Sequence, residues 1–208
     1  THRQSSAASD VYKRQTDNTA IFDGKPEDFY MWVPRTFEGV TSKPWTAGQY
    51  GFVRTLRKTK DDGIVATQFH EGLDIKPVER DFSNAALDEV RTIANGIVVH
   101  TSLNRGASNY GIYVVMEHDF GYGKIYSLYA HLAKITVEKG QSLASGDALG
   151  IMGYTGRGLN RERSHLHLEI NLMASDHYDD YIAAVGSVNT HGNYNGRNLI
   201  GIDASSLF

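Results

Sequence analysis

Residues 110–132 read YGIYVVMEHDFGYGKIYSLYAHL, and this stretch decides the fold class. Its first part, residues 110–118, is rich in the β-branched and aromatic side chains that are typical of strands. The glycine-rich segment DFGYG predicts a turn, and residues 124–132 then predict the antiparallel partner strand. The stretch therefore indicates a β-hairpin.

Outward from the hairpin, short alternating runs continue to favour strands over helices. Strands are predicted over residues 97–101, 149–152 and 165–172, and a weaker one over residues 51–58. Short helices are predicted only over residues 85–93 and 176–185. With 21 Gly and only 4 Pro in the chain, the pattern predicts an all-β fold. We expect an antiparallel sheet that curls into an open sandwich-like or barrel-like core, with a groove across it and few short helices.

Composition excludes several classes of function. The 208 residues include no Cys, which removes disulfide scaffolds, thiol catalysis and cysteine zinc sites. The net charge of −3 gives no basic footprint for nucleic acid. The longest unbroken apolar run, residues 112–116, is far shorter than the roughly 20 residues of a membrane span. The length favours one domain. The remaining unusual feature of the composition is the 9 His and where they fall in the chain.

Two histidine-bearing segments pair a histidine with a second metal-binding side chain. In HEGLD, His70 and Asp74 are four residues apart and share one face of an extended strand. In HLHLEI, strict alternation places His165, His167 and Glu169 on one face and the apolar residues on the other. Imidazole nitrogen and carboxylate oxygen are both good zinc ligands.

A third segment, YAHL, adds His131. A catalytic zinc takes three protein ligands and keeps one position open for water. The two pairs supply up to three ligands and leave one histidine spare. The three segments together therefore indicate a hydrolytic zinc site built from nitrogen and oxygen donors.

The order of these segments resembles the lysostaphin/LytM-type zinc endopeptidases, metallopeptidase family 23. The resemblance covers residues 69–170 and rests on His-x-Gly-x-Asp, Tyr-x-His-Leu and His-x-His-x-Glu. The connecting stretches NGIV at residues 95–98, VEKGQ at 137–141, SGD at 145–147 and LGIMGYTG at 149–156 also match the family pattern. The resemblance implies an antiparallel sheet of the duplicated hybrid motif type.

The resemblance also implies the role of each site residue. His70, Asp74 and His167 match the ligands of one zinc ion, and His131 and His165 match the two catalytic histidines. The implied activity is zinc-dependent hydrolysis of peptide bonds in bacterial peptidoglycan, in stem peptides or cross-bridges. The implied location is the bacterial cell envelope, periplasmic or extracellular. Which histidine acts as the base and which stabilises the oxyanion stays open.

The implied domain organisation has three parts. Residues 1–15 lack a starting Met and are polar and patternless, so we expect them to be an adaptor-derived scar. Residues 16–185 are expected to form the zinc endopeptidase domain with an N-terminal extension. Residues 186–208 are expected to be an Asn/Gly-rich tail that wraps the surface as loop and is a candidate for truncation at Phe208.

The remaining histidines and one acid have weaker claims. His118 matches a family position outside the metal site, where we expect a structural role at the end of a strand. We expect His100, His177 and His191 to be surface or loop residues. Glu169 shares the face of the site and either orients a histidine or forms an ordinary salt bridge or cross-strand pair.

The sequence departs from the family pattern in three places. The connection between Asp74 and Gly96 is longer than usual, and no Tyr closely precedes His70, which leaves oxyanion stabilisation to His131 or His165. Residues 157–163 contain three Arg. They either meet carboxylates of a substrate peptide or form a solvated basic loop.

Three other functions share parts of this pattern with a peptidoglycan endopeptidase. The first is a catalytically inactive LytM-like module that activates a cell-wall amidase, which would require loss of ligands. The second is a phosphocarrier of the sugar phosphotransferase type, against which Asp74 argues. The third is a zinc D-Ala-D-Ala carboxypeptidase, whose first ligand pair is more widely spaced than His70 and Asp74.

Overall fold

The computed structural model describes residues 15–42 and 47–207, in which β-strands dominate. The predicted scar at residues 1–15 lies outside the described residues except for Gln15. The elements in chain order are α1 (Pro26–Phe29), β1 (Arg35–Phe37), β2 (Val40–Ser42), β3 (Val53–Lys58), β4 (Ile64–Phe69), β5 (Leu73–Ile75), β6 (Glu89–Arg91), β7 (Gly96–Ser102), β8 (Tyr113–Asp119), β9 (Lys124–Ala130), β10 (Lys134–Ile135), β11 (Ser142–Leu143), β12 (Ala148–Ile151), β13 (Leu166–Met173), α2 (Tyr178–Ala184) and β14 (Leu199–Ile202), with 3₁₀ turns at Arg161–Arg163 and Ala204–Leu207.

The main sheet is antiparallel and runs in the order β11-β7-β8-β9-β13-β14, with β5 paired to the first half of β13. A second sheet runs β10-β12-β6, and two hairpins, β1-β2 and β3-β4, stand apart. Over the described residues the main sheet ends at β11 and β14 and so stays open. The predicted all-β, antiparallel fold with few short helices is confirmed, and the predicted hairpin is β8-β9.

The core forms on one face of the main sheet. Leu166, Leu168 and Ile170 of β13 lie in the large hydrophobic cluster, together with Met116 of β8 and Tyr129 of β9. Each fully buried leucine stabilises the fold by roughly 1.5–3 kcal/mol. Because side chains alternate along a strand, burial of this face presents the histidine face of β13 on the other side of the sheet.

The second face of β8 and β9 is also covered. Tyr113, Val115, Leu128 and Ala130 form a smaller cluster with Leu199 of β14. The hairpin therefore has apolar contacts on both faces, which explains why its sequence is nearly continuously apolar rather than strictly alternating.

One of the two predicted helices is wrong. Residues 85–93 contain strand β6, which pairs with β12. Val90 is fully buried there, and the Asp88 carboxylate accepts hydrogen bonds from the backbone of Val78 and Glu79. These long-range contacts override a weak local helical pattern. The second predicted helix is present as α2, which buries Tyr178 and Ile182.

The C-terminal tail is loop only in its first part. β14 pairs with the second half of β13 from Met173↔Leu199 to Ile170↔Ile202, so the expectation that the whole tail is loop is wrong. Leu199 is fully buried, and burial of this apolar side chain holds the strand in the sheet. No helix in the described part of the chain is long and apolar enough to cross a membrane.

Candidate active site

The first half of β13 brings the predicted zinc ligands together. Its His167 lies directly opposite Asp74 of β5 on one side and opposite Ala130 of β9 on the other. Opposite residues of antiparallel strands have side chains on the same face, about 4.5–5.5 Å apart at Cβ. The register therefore places His167 beside Asp74, and it places His131, which follows Ala130, at the edge of the same site.

His70 reaches the site by a different backbone path from the one predicted. β5 begins at Leu73, so His70 precedes the strand and the chain bends at Gly72. A Cβ atom on Gly72 would lie 2.5 Å from the Leu168 carbonyl oxygen and 2.8 Å from Cγ of Glu169. Only glycine permits this close approach of the segment to β13, which explains the central residue of His-x-Gly-x-Asp.

The donor atoms of the three predicted ligands converge. Oδ1 of Asp74 lies 2.9 Å from Nε2 of His70 and 2.8 Å from Nδ1 of His167, and the two nitrogens are 2.9 Å apart. All three side chains are buried. Three buried nitrogen and oxygen donors with an opening onto a groove fit the donor set of a hydrolytic zinc.

Hydrogen bonds fix which ring nitrogen each of the two predicted ligand histidines directs at the cluster. His70 donates from Nδ1 to the carbonyl of Gln49 at 2.8 Å, so Nε2 faces Asp74. His167 instead donates from Nε2 to Oε1 of Glu169 at 2.7 Å, so Nδ1 faces the site. Partners of this kind are the usual supports of metal-binding histidines, because they set the tautomer and the ring orientation.

Glu169 is itself held from several sides. Its carboxylate is 2 % exposed and accepts hydrogen bonds from the Tyr110 hydroxyl at 2.8 Å and the Asn171 side-chain amide at 3.1 Å. Burial alone would raise the pKa of Glu169, but these partners and His167 lower it below its ordinary value. These contacts support the hypothesis that Glu169 orients His167 over the hypothesis that it forms an ordinary salt bridge or cross-strand pair.

Burial and the neighbouring charges shift the pKa values of His70, Asp74 and His167. Burial lowers the pKa of His70. Burial acts in the same direction on His167, but its hydrogen bonds to Asp74 and Glu169 outweigh it and raise its pKa to about 9. Burial would raise the pKa of Asp74, but His70, His165 and His167 hold it well below its usual range.

The two predicted catalytic histidines lie next to the cluster. Their ring centroids are 4.6 Å apart, and Nε2 of His165 is 3.4 Å from Oδ1 of Asp74. His131 donates from Nδ1 to the Thr155 carbonyl at 2.8 Å, and His165 donates from Nδ1 to the Arg163 carbonyl at 2.7 Å. In each neutral ring, Nε2 is then the nitrogen that carries the lone pair.

His131 has two further unusual features. Its φ of 63° places the backbone in the left-handed region, which is uncommon for a residue other than glycine and often marks functional positions. Burial, followed by the nearby His165 and His167, lowers the pKa of His131 well below its ordinary value. A ring kept neutral at physiological pH can accept a proton.

An open groove of about 930 Å³ runs past the five residues. Its far wall is formed by β1, by the β3-β4 hairpin and by loops at residues 157–163 and 187–197. Arg54 of β3 reaches across and donates from Nη2 to Oδ2 of Asp74 at 3.0 Å. Sequence reasoning missed Arg54, because nothing in its own strand indicates a contact with a residue twenty positions later.

The other histidines lie outside the cluster. His118 is fully buried, with Nδ1 bonded to the Asn95 carbonyl and Nε2 to the Ser127 hydroxyl, which fits the structural role expected of it. His177 is exposed and His191 lies in a loop, as expected. The expectation that His100 is a surface or loop residue is wrong. It belongs to β7, and its ring centroid lies 5.0 Å from that of Tyr113.

Comparison with known proteins identifies the family. Residues 68–180 match the model of peptidase family M23, which covers more than half of the chain. The chain therefore belongs to peptidase family M23, and the resemblance to the lysostaphin/LytM-type enzymes is confirmed at the family level.

Individual relatives match more narrowly. The chain is 38% identical over 91 residues to the peptidoglycan DD-endopeptidase ShyA of Vibrio cholerae, a match that covers 43% of this chain and 19% of ShyA. The match thus spans about a fifth of the length of that relative. Among solved structures, the catalytic domain of lysostaphin from Staphylococcus simulans is 22% identical over 59% of this chain and 75% of that one, with a TM-score of 0.41. A zinc-containing peptidase from Vibrio cholerae is 24% identical over 67% of this chain and 43% of that one, with a TM-score of 0.38.

Proposed function

We propose that this chain is a zinc-dependent endopeptidase that hydrolyses peptide bonds in bacterial peptidoglycan, in stem peptides or cross-bridges. The observation that carries the proposal is the convergence of His70, Asp74 and His167 at distances of 2.8–2.9 Å between donor atoms, with His131 and His165 beside them. Membership of family M23 and the identity with a peptidoglycan DD-endopeptidase support the choice of reaction and substrate. The proposed location is the periplasm or the cell exterior, where that substrate lies.

In this proposal, His70, Asp74 and His167 hold one zinc ion. When bound, zinc supplies a Lewis acid that lowers the pKa of water towards about 7 and polarises the scissile carbonyl. Glu169 keeps Nδ1 of His167 directed at the ligand cluster. The Gln49 carbonyl does the same for Nε2 of His70.

His131 and His165 handle protons in the proposed reaction. His131 is neutral in the fold and has its Nδ1 proton engaged by Thr155, so its Nε2 is available to accept a proton from the attacking water. His165, whose Nδ1 proton is engaged by the Arg163 carbonyl, donates a hydrogen bond from Nε2 towards the developing oxyanion in its doubly protonated form. One of the two histidines then protonates the leaving amine. The same residues also allow the reverse assignment, with His165 as the base and His131 as the group that stabilises the oxyanion.

The test uses purified, zinc-loaded protein and intact peptidoglycan from several wall chemotypes. We expect new amino termini on the peptides of the wall, and their appearance should stop with a chelator and return with added zinc. Absence of chelator-sensitive new amino termini in every chemotype would contradict the proposal. The amidase-activator alternative is not favoured, because all three ligand residues are present and converge.

A further inference from the structure

Three arginines from separate segments line the groove beside the ligand cluster. Arg35 comes from β1, Arg54 from β3 and Arg163 from the 3₁₀ turn before β13. Arg35 and Arg54 precede residue 68, so they lie outside the part of the chain that matches the family model. They belong to a wall that lies outside the matched residues.

These guanidinium groups have unused hydrogen-bonding capacity. In the described part of the chain, the Nε atom of each of the three arginines is buried and has no hydrogen-bond partner. Arg54 donates to Asp74, Arg163 donates to the Gly158 carbonyl at 2.7 Å, and Arg35 lies over the Phe52 ring. A guanidinium has five N–H donors, so each of these groups keeps at least one donor that no atom of the described residues occupies.

The three positive charges also lie near one another, and in the described part of the chain only Arg54 is paired with an acid, Asp74. Burial, followed by the charges of Arg54 and Arg163, lowers the pKa of Arg35, and Asp74 opposes this effect. Of the three acids that line the groove, Asp74 and Glu169 are bonded to histidines, and Glu71 is bonded to the Gly201 backbone. An anion from outside the chain would relieve the repulsion and accept hydrogen bonds from the terminal nitrogens of these groove-lining arginines.

We propose that Arg35, Arg54 and Arg163 form a carboxylate-binding subsite for the substrate peptide. The arginine fork matches a carboxylate in geometry and charge. Because Arg54 also contacts Asp74, the bound carboxylate lies next to the scissile bond, on the residue that flanks it. This inference rests on the proposed function and deepens it, since it selects substrates whose flanking residue carries a free carboxylate over those in which that group is an amide.

The experiment compares two synthetic cross-linked peptides that differ only in a carboxylate or a carboxamide on the flanking residue. For the zinc-loaded native protein we expect KM to be about 10- to 100-fold lower for the carboxylate form, as charge-assisted hydrogen bonds imply, with kcat changed little. The variants Arg35→Gln and Arg163→Gln should remove this preference. Arg57→Gln is the matched control, because Arg57 is an exposed residue of β3 that does not line the groove.

Binding of the same peptides to the zinc-free protein, measured by calorimetry, separates this inference from the proposed function. If the protein cleaves neither these peptides nor any wall chemotype, the endopeptidase proposal fails, but tighter binding of the carboxylate form that is lost in Arg35→Gln still supports the subsite. Equal binding of both forms, or a preference that survives in both Arg35→Gln and Arg163→Gln, would overturn the subsite whether or not cleavage occurs.

Discussion

The two walls of the groove are built in different ways. The inner wall is the junction of β5, β13 and β9, where register alone sets His167 opposite Asp74 and beside the end of β9. The outer wall consists of the β1-β2 and β3-β4 hairpins and of loops, whose strands pair only within each hairpin. Asp74 and His167 thus lie on strands that are fixed by the core, and the outer wall bonds to them only through Arg54 in the described part of the chain. This separation lets one scaffold keep its chemistry while its substrate preference varies.

The largest effects should come from the histidines of the inner wall. We expect His167→Ala to lose both bound zinc and activity, because it removes a ligand whose nitrogen lies 2.8 Å from Asp74. His131→Ala should keep one zinc per chain and lose activity by about 10²- to 10⁴-fold, as expected for removal of a general base. Metal analysis after gel filtration measures the bound zinc, and the assay for new amino termini in peptidoglycan measures the activity. Zinc loss in both variants would mean that the assigned ligand set is wrong.

A smaller effect is expected at the residue that supports a ligand from behind. Glu169→Gln leaves the metal ligands intact but weakens the hydrogen bond to Nε2 of His167. We expect zinc affinity to fall by about 10- to 100-fold, measured by competition with a chromogenic chelator. Glu117→Gln is the control, because Glu117 bonds Tyr126 and Lys124 elsewhere on the same sheet. Equal affinities of the two variants would contradict the supporting role of Glu169.

Next comes the close approach at Gly72. In Gly72→Ala, the new Cβ atom would meet the Leu168 carbonyl at 2.5 Å, and we expect the free energy of unfolding to fall by about 1–3 kcal/mol. Gly106→Ala is the matched control, since a Cβ there meets nothing within 4 Å. Urea titration of the zinc-free forms checks the prediction. A Gly72→Ala protein as stable as the Gly106→Ala protein would show that the bend is not constrained by packing.

The smallest effect concerns His100, which lies outside the ligand cluster. Burial, with smaller contributions from His191 and Lys139, lowers the pKa of His100 to about 4. Its stabilising contribution is therefore complete above its unfolded pKa of about 6.5, and it is lost as the pH falls from there towards about 4. The slope should be below the about 1.4 kcal/mol per pH unit of a fully buried site, because water partly screens the ring. His100→Gln should flatten the stability curve between pH 6.5 and 4, measured by urea titration at each pH, and an unchanged curve would refute the assignment.

The difference between the inner and outer walls of the groove explains how much of the site could be predicted from the sequence. The alternation of His165, His167 and Glu169 with buried leucines is a local property of one strand, so the face of β13 that carries the site was predictable. The position of Arg54 depends on how a separate hairpin packs, and no local pattern encodes that. The strand at residues 89–91 was missed for the same reason, since its pairing with β12 outweighs its own weak helical pattern.

The opposite orientation of the two proposed ligand histidines has a practical consequence. His70 offers Nε2 and His167 offers Nδ1 to the same point. In ¹⁵N spectra of imidazole-labelled protein, metal loading would shift a different nitrogen in each ring, so the two ligands could be told apart without mutation. Titration with zinc and with competing metals would then report whether one ion engages both rings at once.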